Sequence, residues 1–322
     1  MNDANQPIIV IPGDGPPQIA GSSRLDTLSE HGEVVLYEDR PTDDDEKIRR
    51  AEDATVILNS RGAVKWPGNI LQRLPKLKMI TVCGIGTDAI DLETAGELGI
   101  VVCNIPGKTA PVVAEHAFAL MMAVSHRLAF QTAEMKAGRW TLKLAASLTG
   151  KTLGVVGTGN IGCEMIRLSR GFGMNVIAWS FHPSQEKAES LGFQYVELDE
   201  LLKTADVVSL HVKLTDDSKY LIGQRELGLM KQGSLLINTA RGAVVETNAL
   251  VDALNSGHLG GAGIDVFETE PIPSGHPLLS CEQVVLTPHN ADQTPEGIDL
   301  LNQGCIENII AFLNGSPQNV VM

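Results

Sequence analysis

Three ionisable side chains in the second half of the chain have complementary chemistry. Arg241 carries a planar guanidinium that pairs with a carboxylate and polarises a neighbouring carbonyl. His289 is suited to give a proton to a carbonyl oxygen, and Glu270 is suited to orient that imidazole and stabilise its charged form. Each of them alone has an ordinary alternative as a surface ion pair, a turn residue or a loop histidine. Together, at the ends of successive predicted strands, they predict the reduction of a 2-oxo acid.

A glycine-rich hexamer lies upstream of these residues and consists of Gly157, Thr158, Gly159, Asn160, Ile161 and Gly162. It follows an apolar run at residues 153–156 and opens a segment whose apolar residues recur at helical spacing. In a GxGxxG turn the glycines permit a tight bend, close approach of a pyrophosphate, and close packing of the helix on the strand. The free N–H groups of the helix N-terminus then bind the phosphates. The hexamer therefore predicts a site for NAD or NADP.

These groups must be positioned by regular elements. From residue 151 onward, short β-rich runs alternate with amphipathic stretches, which predicts a doubly wound parallel sheet of the α/β class. The predicted strands are residues 152–156, 175–180, 206–212, 234–240, 261–267 and 283–287. Ligands bind beyond the carboxyl ends of such strands. Polar groups end four of these strands, at His211, at residues 238–242, at 265–271 and at 287–290.

The first hundred residues have the same pattern in weaker form and predict a second, smaller α/β domain. Its candidate strands are residues 8–11, 34–37, 55–58, 79–83 and 100–104. A long apolar helix is predicted over residues 111–128, suited to a buried interdomain or subunit contact. A helix over residues 295–313 is expected to pack back on the first domain.

A second glycine motif, Gly13-Asp14-Gly15, also follows a strand-like run. Pro16 and Pro17 come next and remove two of the backbone donors that a phosphate loop needs. We therefore predict an ordinary turn at this place.

Composition and charge narrow the class of protein. A chain of 322 residues favours two domains. The net charge of −14 argues against a nucleic acid or an anionic membrane as partner, and the longest apolar run, residues 117–124, is too short to span a bilayer. The acidic run at residues 43–46 is predicted to be a solvated helix start, and no metal site is expected, because adjacent carboxylates on a helix do not converge on one ion.

The cysteines and the N-terminus indicate the compartment. Five cysteines, without CxxC or metal-ligand spacing, predict buried thiols in a reducing environment. They are Cys83, Cys103, Cys163, Cys281 and Cys305. Residues 1–6 have neither a basic region nor an apolar core, so we expect no secretory signal and a cytoplasmic protein.

Several of these segments, in order, resemble the motifs of the D-isomer-specific 2-hydroxyacid dehydrogenase family. They are residues 84–91, 113–116, 157–162, 238–242, 263–271 and 287–289. The resemblance covers nearly the whole chain. Ordered motifs over such a length are specific for the family and weak evidence for the substrate.

The resemblance implies a domain organisation. A flavodoxin-like substrate domain would consist of residues 1–104 and 293–322, with a Rossmann dinucleotide-binding domain of residues 105–292 inserted into it. It also implies a homodimer formed largely through the Rossmann domains.

The resemblance implies roles for particular residues as well. Arg241 becomes the substrate-binding arginine, His289 the acid and base, and Glu270 its partner. Asp265 would hold the carboxamide of nicotinamide. The remaining cofactor residues would be Gly157, Thr158, Gly159, Asn160, Ile161, Gly162, Ser180, His211, Thr239 and Ala240. Substrate carboxylate would be bound, largely by backbone N–H groups, at Ser60, Arg61, Ile85 and Gly86, where Arg61 can also meet a phosphate or a further polar group.

The sequence departs from the family pattern at two places. Members that prefer NAD usually end the second Rossmann strand with an acidic residue, whereas this chain has Ser180 there, with His182 and Lys187 as weak candidates for a 2′-phosphate. The cofactor preference is therefore left open. After His289, residues 290–293 replace the usual small, glycine-rich stretch, so an unusual pocket wall is expected.

Three functions follow from these observations. The leading hypothesis is hydride transfer between NAD(P) and a small 2-hydroxy acid, most simply reduction of hydroxypyruvate or glyoxylate. The alternative enzyme is a 3-phosphoglycerate dehydrogenase without a regulatory domain, because residues 85–87 resemble that branch. The alternative of another class is an NAD(H)-sensing corepressor-like protein, which would bind dinucleotide without ordinary turnover.

Overall fold

The computed structural model describes residues 6–321, which form two compact units, each with its own sheet and hydrophobic core. Unit 1 comprises the described residues through Thr109 and those from Gln293 onward, and unit 2 is Ala110–Asp292. The expectation about a secretory signal rests on residues 1–6, of which all but Gln6 lie outside the described range.

Unit 1 contains a five-stranded sheet in which every neighbouring pair is parallel. Its strands are β1 (Ile8–Ile11), β2 (Glu33–Leu36), β3 (Val56–Ser60), β4 (Met79–Cys83) and β5 (Val101–Cys103). The spatial order is β2-β1-β3-β4-β5, the flavodoxin-like order. The predicted strands are confirmed, two with the same bounds and three displaced by one or two residues at their ends.

The helices that follow in unit 1 are α1 (Arg24–Ser29), α2 (Asp44–Ala51), α3 (Gly68–Leu71) and α4 (Leu92–Glu97). The acidic run does begin a helix, since the Asp43 side chain accepts a hydrogen bond from the Glu46 amide at the start of α2. At Gly13-Asp14-Gly15 the chain bends at Gly15, without a hydrogen-bonded turn. Asp14 is buried there and accepts from the amides of residues 18, 19 and 20.

Unit 2 contains a seven-stranded parallel sheet. Its strands are β6 (Thr152–Val156), β7 (Asn175–Trp179), β8 (Gln194–Tyr195), β9 (Val207–Leu210), β10 (Leu235–Asn238), β11 (Gly261–Ile264) and β12 (Val284–Leu286). The order β12-β11-β10-β9-β6-β7-β8 reverses direction between β6 and β9, which is the doubly wound Rossmann arrangement. All six predicted runs contain a strand. The two-residue strand β8 was not predicted, because so short a run has no periodicity.

The helices of unit 2 are α5 (Ala110–Ser125), α6 (Leu128–Lys136), α7 (Asn160–Gly171), α8 (Gln185–Leu191), α9 (Leu198–Thr204), α10 (Gln224–Leu229) and α11 (Thr247–Asn255). The prediction of one helix over residues 111–128 is wrong at its end. Arg127 has a φ of 56°, and this left-handed residue separates α5 from α6. The last helix, α12 (Pro295–Leu313), has its predicted bounds and packs within unit 1 on β4 and α1.

Two glycines of β11 allow α5 to lie close to the sheet of unit 2. A Cβ on Gly261 would be 2.6 Å from Cγ1 of Val124, and a Cβ on Gly263 would be 3.0 Å from Cβ of Leu120. Val124 and Leu120 are one helical turn apart, so successive turns of α5 face successive outward positions of β11. The glycines therefore set both the separation and the register of this helix and strand.

All five cysteines are free thiols. Cys83, Cys103, Cys281 and Cys305 are buried as predicted, and burial raises the pKa of Cys103 to about 11. The prediction is wrong for Cys163, which is half-buried near the start of α7. None of the helices between residues 6 and 321 combines the length and the apolar character needed to cross a membrane.

We expect Gly261→Ala to lower the free energy of unfolding by about 1–3 kcal/mol, because its new methyl group would overlap Val124 and the carbonyl oxygen of Gln283, also 2.6 Å away. Gly228→Ala in α10 is the control, since a Cβ there meets nothing within 4 Å. Urea denaturation monitored by circular dichroism measures both. Equal stability of the two variants would contradict the close approach of α5 to β11.

Candidate active site

Glu270 and His289 form a hydrogen-bonded pair in the loops that follow β11 and β12. The Nδ1 atom of His289 lies 2.7 Å from Oε2 of Glu270. The second imidazole nitrogen, Nε2, has no hydrogen-bond partner in the described chain, and 45% of the His289 side chain is exposed. The pair thus leaves Nε2 accessible for proton transfer to a bound molecule.

Glu270 is held in its ionised form. Partial burial acts to raise the pKa of its carboxyl, but hydrogen bonds from His289 and the Phe267 amide, with the nearby charge of Arg241, lower the pKa below its ordinary value. An ionised carboxylate is an acceptor only. It therefore requires a proton on Nδ1 of His289.

The backbone of His289 is fixed in an uncommon conformation. Its φ is 50°, in the left-handed region that residues other than glycine seldom adopt. Its amide donates to the carbonyl oxygens of Asp265, at 2.8 Å, and Thr287, at 3.1 Å. These two bonds hold the residue where its side chain reaches Glu270.

Arg241 is carried by a short turn after β10. The side chain of Asn238 spans that turn, donating from Nδ2 to the Arg241 carbonyl oxygen and accepting from the Ala240 amide, both at 3.0 Å. A Cβ on Gly242 would collide with the backbone of Phe267. Glycine at this position therefore lets the Arg241 turn lie against the loop that leads to Glu270.

The glycine-rich hexamer forms the turn from β6 into α7. Gly157 has a φ of 99°, and a Cβ there would be 2.6 Å from the carbonyl oxygen of His211. A Cβ on Gly162 would collide with the carbonyl oxygen of Gly157. In contrast, a Cβ on Gly159 would meet no atom within 4 Å. Two glycines therefore serve packing, and Gly159 leaves open space beside the backbone at the start of α7.

Three buried polar atoms near the strand ends have no hydrogen-bond partner in the described chain. They are Nδ1 of His211, Oγ1 of Thr239 and Oδ1 of Asn290, in the segments after β9, β10 and β12. Burial lowers the pKa of His211 to about 4, so its ring is neutral at physiological pH. Unpaired buried polar atoms cost free energy, and a polar ligand would remove that cost. Together with the open space at Gly159, these atoms fit a bound dinucleotide.

Asp265 follows β11 and is buried. Its carboxylate accepts from Oγ1 of Thr287 at 2.6 Å and from the amides of Asn290 and Ala291 at 3.0 and 3.2 Å. Burial acts to raise the pKa of this carboxyl, but the contact with His116 and the hydrogen bonds from Thr287 and Asn290 lower it below the ordinary value. Asp265 is therefore an ionised acceptor suited to a ligand amide.

The end of β7 has no carboxylate, because residues 180–185 contain no acidic side chain. Ser180 is half-buried and its Oγ accepts from the amide of His182 at 3.3 Å. Nζ of Lys187 donates to the carbonyl oxygen of Thr158 at 3.0 Å, so this ammonium group lies against the glycine-rich turn. Oγ1 of Thr158 in turn bonds the hydroxyl of Tyr195 at 2.7 Å.

Within unit 1, the loops after β3 and β4 carry the other predicted residues. The hydroxyl of Ser60 donates to Asp14 at 2.6 Å and is buried. Arg61 has a φ of 54°, and its guanidinium donates to Oε1 of Gln293 at 3.0 Å. The carbonyl oxygen of Ile85 accepts from Asn104.

The backbone amides of three of these residues donate to no acceptor in the described chain. They are Arg61, Ile85 and Gly86. Because β3 and β4 are parallel neighbours, the two loops lie at the same sheet edge. The amides are therefore suited to an anionic ligand, whereas the Ser60 hydroxyl is already occupied.

Sequence reasoning missed part of this arrangement. His116 and Thr287 received no role, although both bond near Asp265, and Asn290 was noted only as unusual. The spacing of His116, Leu120 and Val124, at four-residue intervals on α5, was the available signal. Between residues 6 and 321 there is no cluster of three or more His, Cys, Asp or Glu side chains able to hold a metal ion.

Comparison with known proteins identifies related sequences. Residues 118–291 match the family model described as D-isomer specific 2-hydroxyacid dehydrogenase, NAD binding domain. The chain is 41% identical over 286 residues to a glyoxylate reductase of Thermococcus litoralis, covering 86% of this chain and 85% of the relative. It is 40% identical over 257 residues to a hydroxypyruvate reductase of Thermotoga maritima, covering 77% and 83%. A D-3-phosphoglycerate dehydrogenase of Methanocaldococcus jannaschii is 37% identical over 298 residues, which are 91% of this chain and 56% of that relative.

Two solved structures align with nearly the whole chain. A glyoxylate reductase from Paecilomyes thermophila has a TM-score of 0.88 at 29% identity, covering 98% of both chains. An acyclic imino acid reductase solved with NADPH and D-Arg has a TM-score of 0.88 at 26% identity, covering 98% of this chain and 100% of the other.

We expect Glu270→Gln to move the acidic limb of the pH profile for 2-hydroxy acid oxidation to lower pH. The neutral imidazole is the base in that direction, and the variant lacks the carboxylate whose lowered pKa keeps it an anion beside the ring. The measurement is initial rate against pH for both proteins. Glu268→Gln is the control, since this neighbouring carboxylate bonds Tyr220 and the Thr247 amide instead. A profile that coincides with wild type would remove the pairing from the mechanism.

Proposed function

The chain belongs to the D-isomer specific 2-hydroxyacid dehydrogenase family, and we propose that it reduces glyoxylate or hydroxypyruvate to the corresponding 2-hydroxy acid with NADH or NADPH. The observation that carries this proposal is the contact between Nδ1 of His289 and Glu270 at 2.7 Å, with Nε2 accessible. Relatives at 40–41% identity that are named glyoxylate and hydroxypyruvate reductases support the choice of substrates.

NADH or NADPH, held by residues 157–162 and Asp265, would supply hydride to the carbonyl carbon of the substrate. Protonated His289 gives the proton on Nε2 to the carbonyl oxygen, so the C=O double bond becomes C–O–H and the imidazole becomes neutral. Glu270 keeps the proton on Nδ1 and stabilises the imidazole in its charged form before transfer. Arg241 pairs with the substrate carboxylate and polarises the carbonyl.

Further hydrogen bonds to the substrate carboxylate are assigned to backbone amides of unit 1. The amides of Arg61, Ile85 and Gly86, which have no acceptor in the described chain, support this assignment. Ser60 is left out of this assignment, because its hydroxyl donates to Asp14. The guanidinium of Arg61 then serves a further polar group on the substrate.

Cofactor binding is assigned to the glycine-rich turn and to the strand ends of unit 2. Residues 157–162 would receive the pyrophosphate, Asp265 the carboxamide, and Ser180 the adenine ribose. The unpaired Nδ1 of His211 and Oγ1 of Thr239 support this assignment of cofactor residues. Ala240 follows Thr239 in the turn after β10. Ser180 leaves both cofactors possible, since it neither repels a 2′-phosphate nor binds the ribose diol as a carboxylate would.

The experiment is consumption of NADH and NADPH, each tested with glyoxylate, hydroxypyruvate, pyruvate and 3-phosphohydroxypyruvate. We expect the fastest turnover with one of the first two acids. His289→Ala should lower kcat by about 10²–10⁴-fold while leaving cofactor affinity unchanged, because the imidazole acts in proton transfer. Highest kcat/KM for 3-phosphohydroxypyruvate would replace the proposal by the phosphoglycerate branch. Tight dinucleotide binding without turnover of any acid would favour the alternative of an NAD(H)-sensing, corepressor-like protein.

We also propose that the protein is a homodimer formed through unit 2. Residues 139–144 alternate in their environment: Arg139 and Thr141 bond Glu134, and Lys143 bonds Glu282. The side chains between them, Trp140, Leu142 and Leu144, are 86%, 78% and 88% exposed. An extended segment that directs three large apolar side chains into solvent is typical of a surface that a second copy covers.

Trp140→Glu combined with Leu144→Glu should convert the dimer to a monomer, because each carboxylate would be buried against the partner. Light scattering coupled to size-exclusion chromatography measures the mass. Leu279→Glu, at an apolar residue 47% exposed elsewhere in unit 2, is the control. A monomeric wild-type protein, or a double variant that stays dimeric, would refute this interface.

We place the protein in the cytoplasm. The five free thiols support this location, since oxidising compartments favour disulfides. Cell fractionation that recovers the enzyme from an extracellular or membrane fraction would contradict it.

A further inference from the structure

Residues of α5 face residues of β11 in regular order, and the same order continues beyond the strand to Asp265. Val124 faces Gly261 and Leu120 faces Gly263, as described above. The next residue on this face of α5, one turn towards its N-terminus, is His116, and the next position in phase along the chain from β11 is Asp265. One helical turn and two strand residues advance by similar distances, about 5.4 and 6.6 Å. The same packing that seats the helix therefore brings His116 to the Asp265 carboxylate.

The contact between them runs through Thr287. Nε2 of His116 lies 3.0 Å from Oγ1 of Thr287 and 3.5 Å from Oδ1 of Asp265. The Thr287 hydroxyl has a single proton, which it donates to Asp265 at 2.6 Å. Its oxygen must then accept from His116, so Nε2 of the imidazole carries a proton. The three side chains form a directed chain of hydrogen bonds that ends on Asp265.

The direction of these hydrogen bonds determines which oxygen of the Asp265 carboxylate is occupied by donors. Oδ1 accepts from Thr287 and from the Asn290 amide, whereas within residues 6–321 Oδ2 accepts only from the Ala291 amide, at 3.2 Å. Because Oδ1 is bound by two donors and contacted by His116, the carboxylate of Asp265 is held in one orientation about its Cβ–Cγ bond. Oδ2 retains capacity for a further donor.

We propose that His116 is a positioning residue that, through Thr287, holds Asp265 in the orientation that accepts the carboxamide N–H of nicotinamide. This inference rests on the proposed function, in which Asp265 binds that carboxamide. His116 itself contacts neither cofactor nor substrate in this assignment. Its effect is confined to the nicotinamide end of the dinucleotide.

The test compares two ligands that differ at that end. Calorimetry gives Kd for NADH and for ADP-ribose, which lacks nicotinamide, or for NADPH and 2′-phospho-ADP-ribose if wild type binds NADPH more tightly. His116→Leu should weaken the complete dinucleotide about tenfold and change the ADP-ribose Kd by less than about twofold. His116→Gln, whose amide places a donor near the position of Nε2, should restore affinity to within about threefold of wild type.

A second pair of variants keeps the test independent of the folding of His116→Leu. Thr287→Val removes the hydroxyl at nearly constant volume and should reproduce the selective loss, while Thr287→Ser retains the hydroxyl and should bind like wild type. Thermal unfolding of each variant verifies that it is folded.

The outcomes separate this inference from the proposed function. If His116→Leu and Thr287→Val weaken the binding of both ligands equally, these residues have a general packing role and the inference is overturned. Unchanged binding of both ligands would also overturn it. Selective weakening in a protein that turns over no 2-oxo acid would support the inference and refute the proposed reaction. A wild-type protein that binds neither NADH nor NADPH would overturn both.

Discussion

The buried carboxylate of Asp265 is the group on which the rest of the site depends. An ionised carboxylate removed from water is costly unless donors surround it. Here the donors are the Thr287 hydroxyl and the amides of Asn290 and Ala291, all in the loop after β12. The carbonyl oxygen of Asp265 also accepts from the His289 amide. Satisfying one buried charge thus fixes the loop that carries the accessible imidazole.

That arrangement requires close approach of backbone segments, and glycine permits it at several positions. Gly261 and Gly263 let α5 lie against β11, Gly157 lets the dinucleotide turn pass the His211 carbonyl, and Gly242 lets the Arg241 turn reach the Glu270 loop. A side chain at any of these positions would separate elements that the site needs together. At these positions glycine therefore permits the close packing that positions the site.

The site divides its polar groups into two kinds. Asp265 and Asn238 are buried and hold loops by their hydrogen bonds, whereas His289 and Glu270 are partly exposed and bond mainly to one another. Between these are Nδ1 of His211, Oγ1 of Thr239 and Oδ1 of Asn290, which are buried and unpaired. This division is what a binding site for a polar cofactor requires: a rigid frame, exposed reacting groups and acceptors waiting for the ligand.

The sequence by itself determined the class of fold, the order of nearly all strands along the chain and the position of the glycine-rich turn, and it gave Arg241, Glu270 and His289 as candidates. These follow from local patterns: alternation of strands and helices, GxGxxG after an apolar run, and polar residues where strands end. Only the tertiary structure decided which nitrogen of His289 stays accessible, that the Ser60 hydroxyl is occupied by Asp14, and that His116 reaches Thr287. It also decided that α5 ends before Arg127 and that Cys163 is only half-buried. The physical reason is that side-chain partners can be far apart in the chain. His116 and Thr287, for example, are 171 positions apart, and no local pattern in the sequence encodes that they meet.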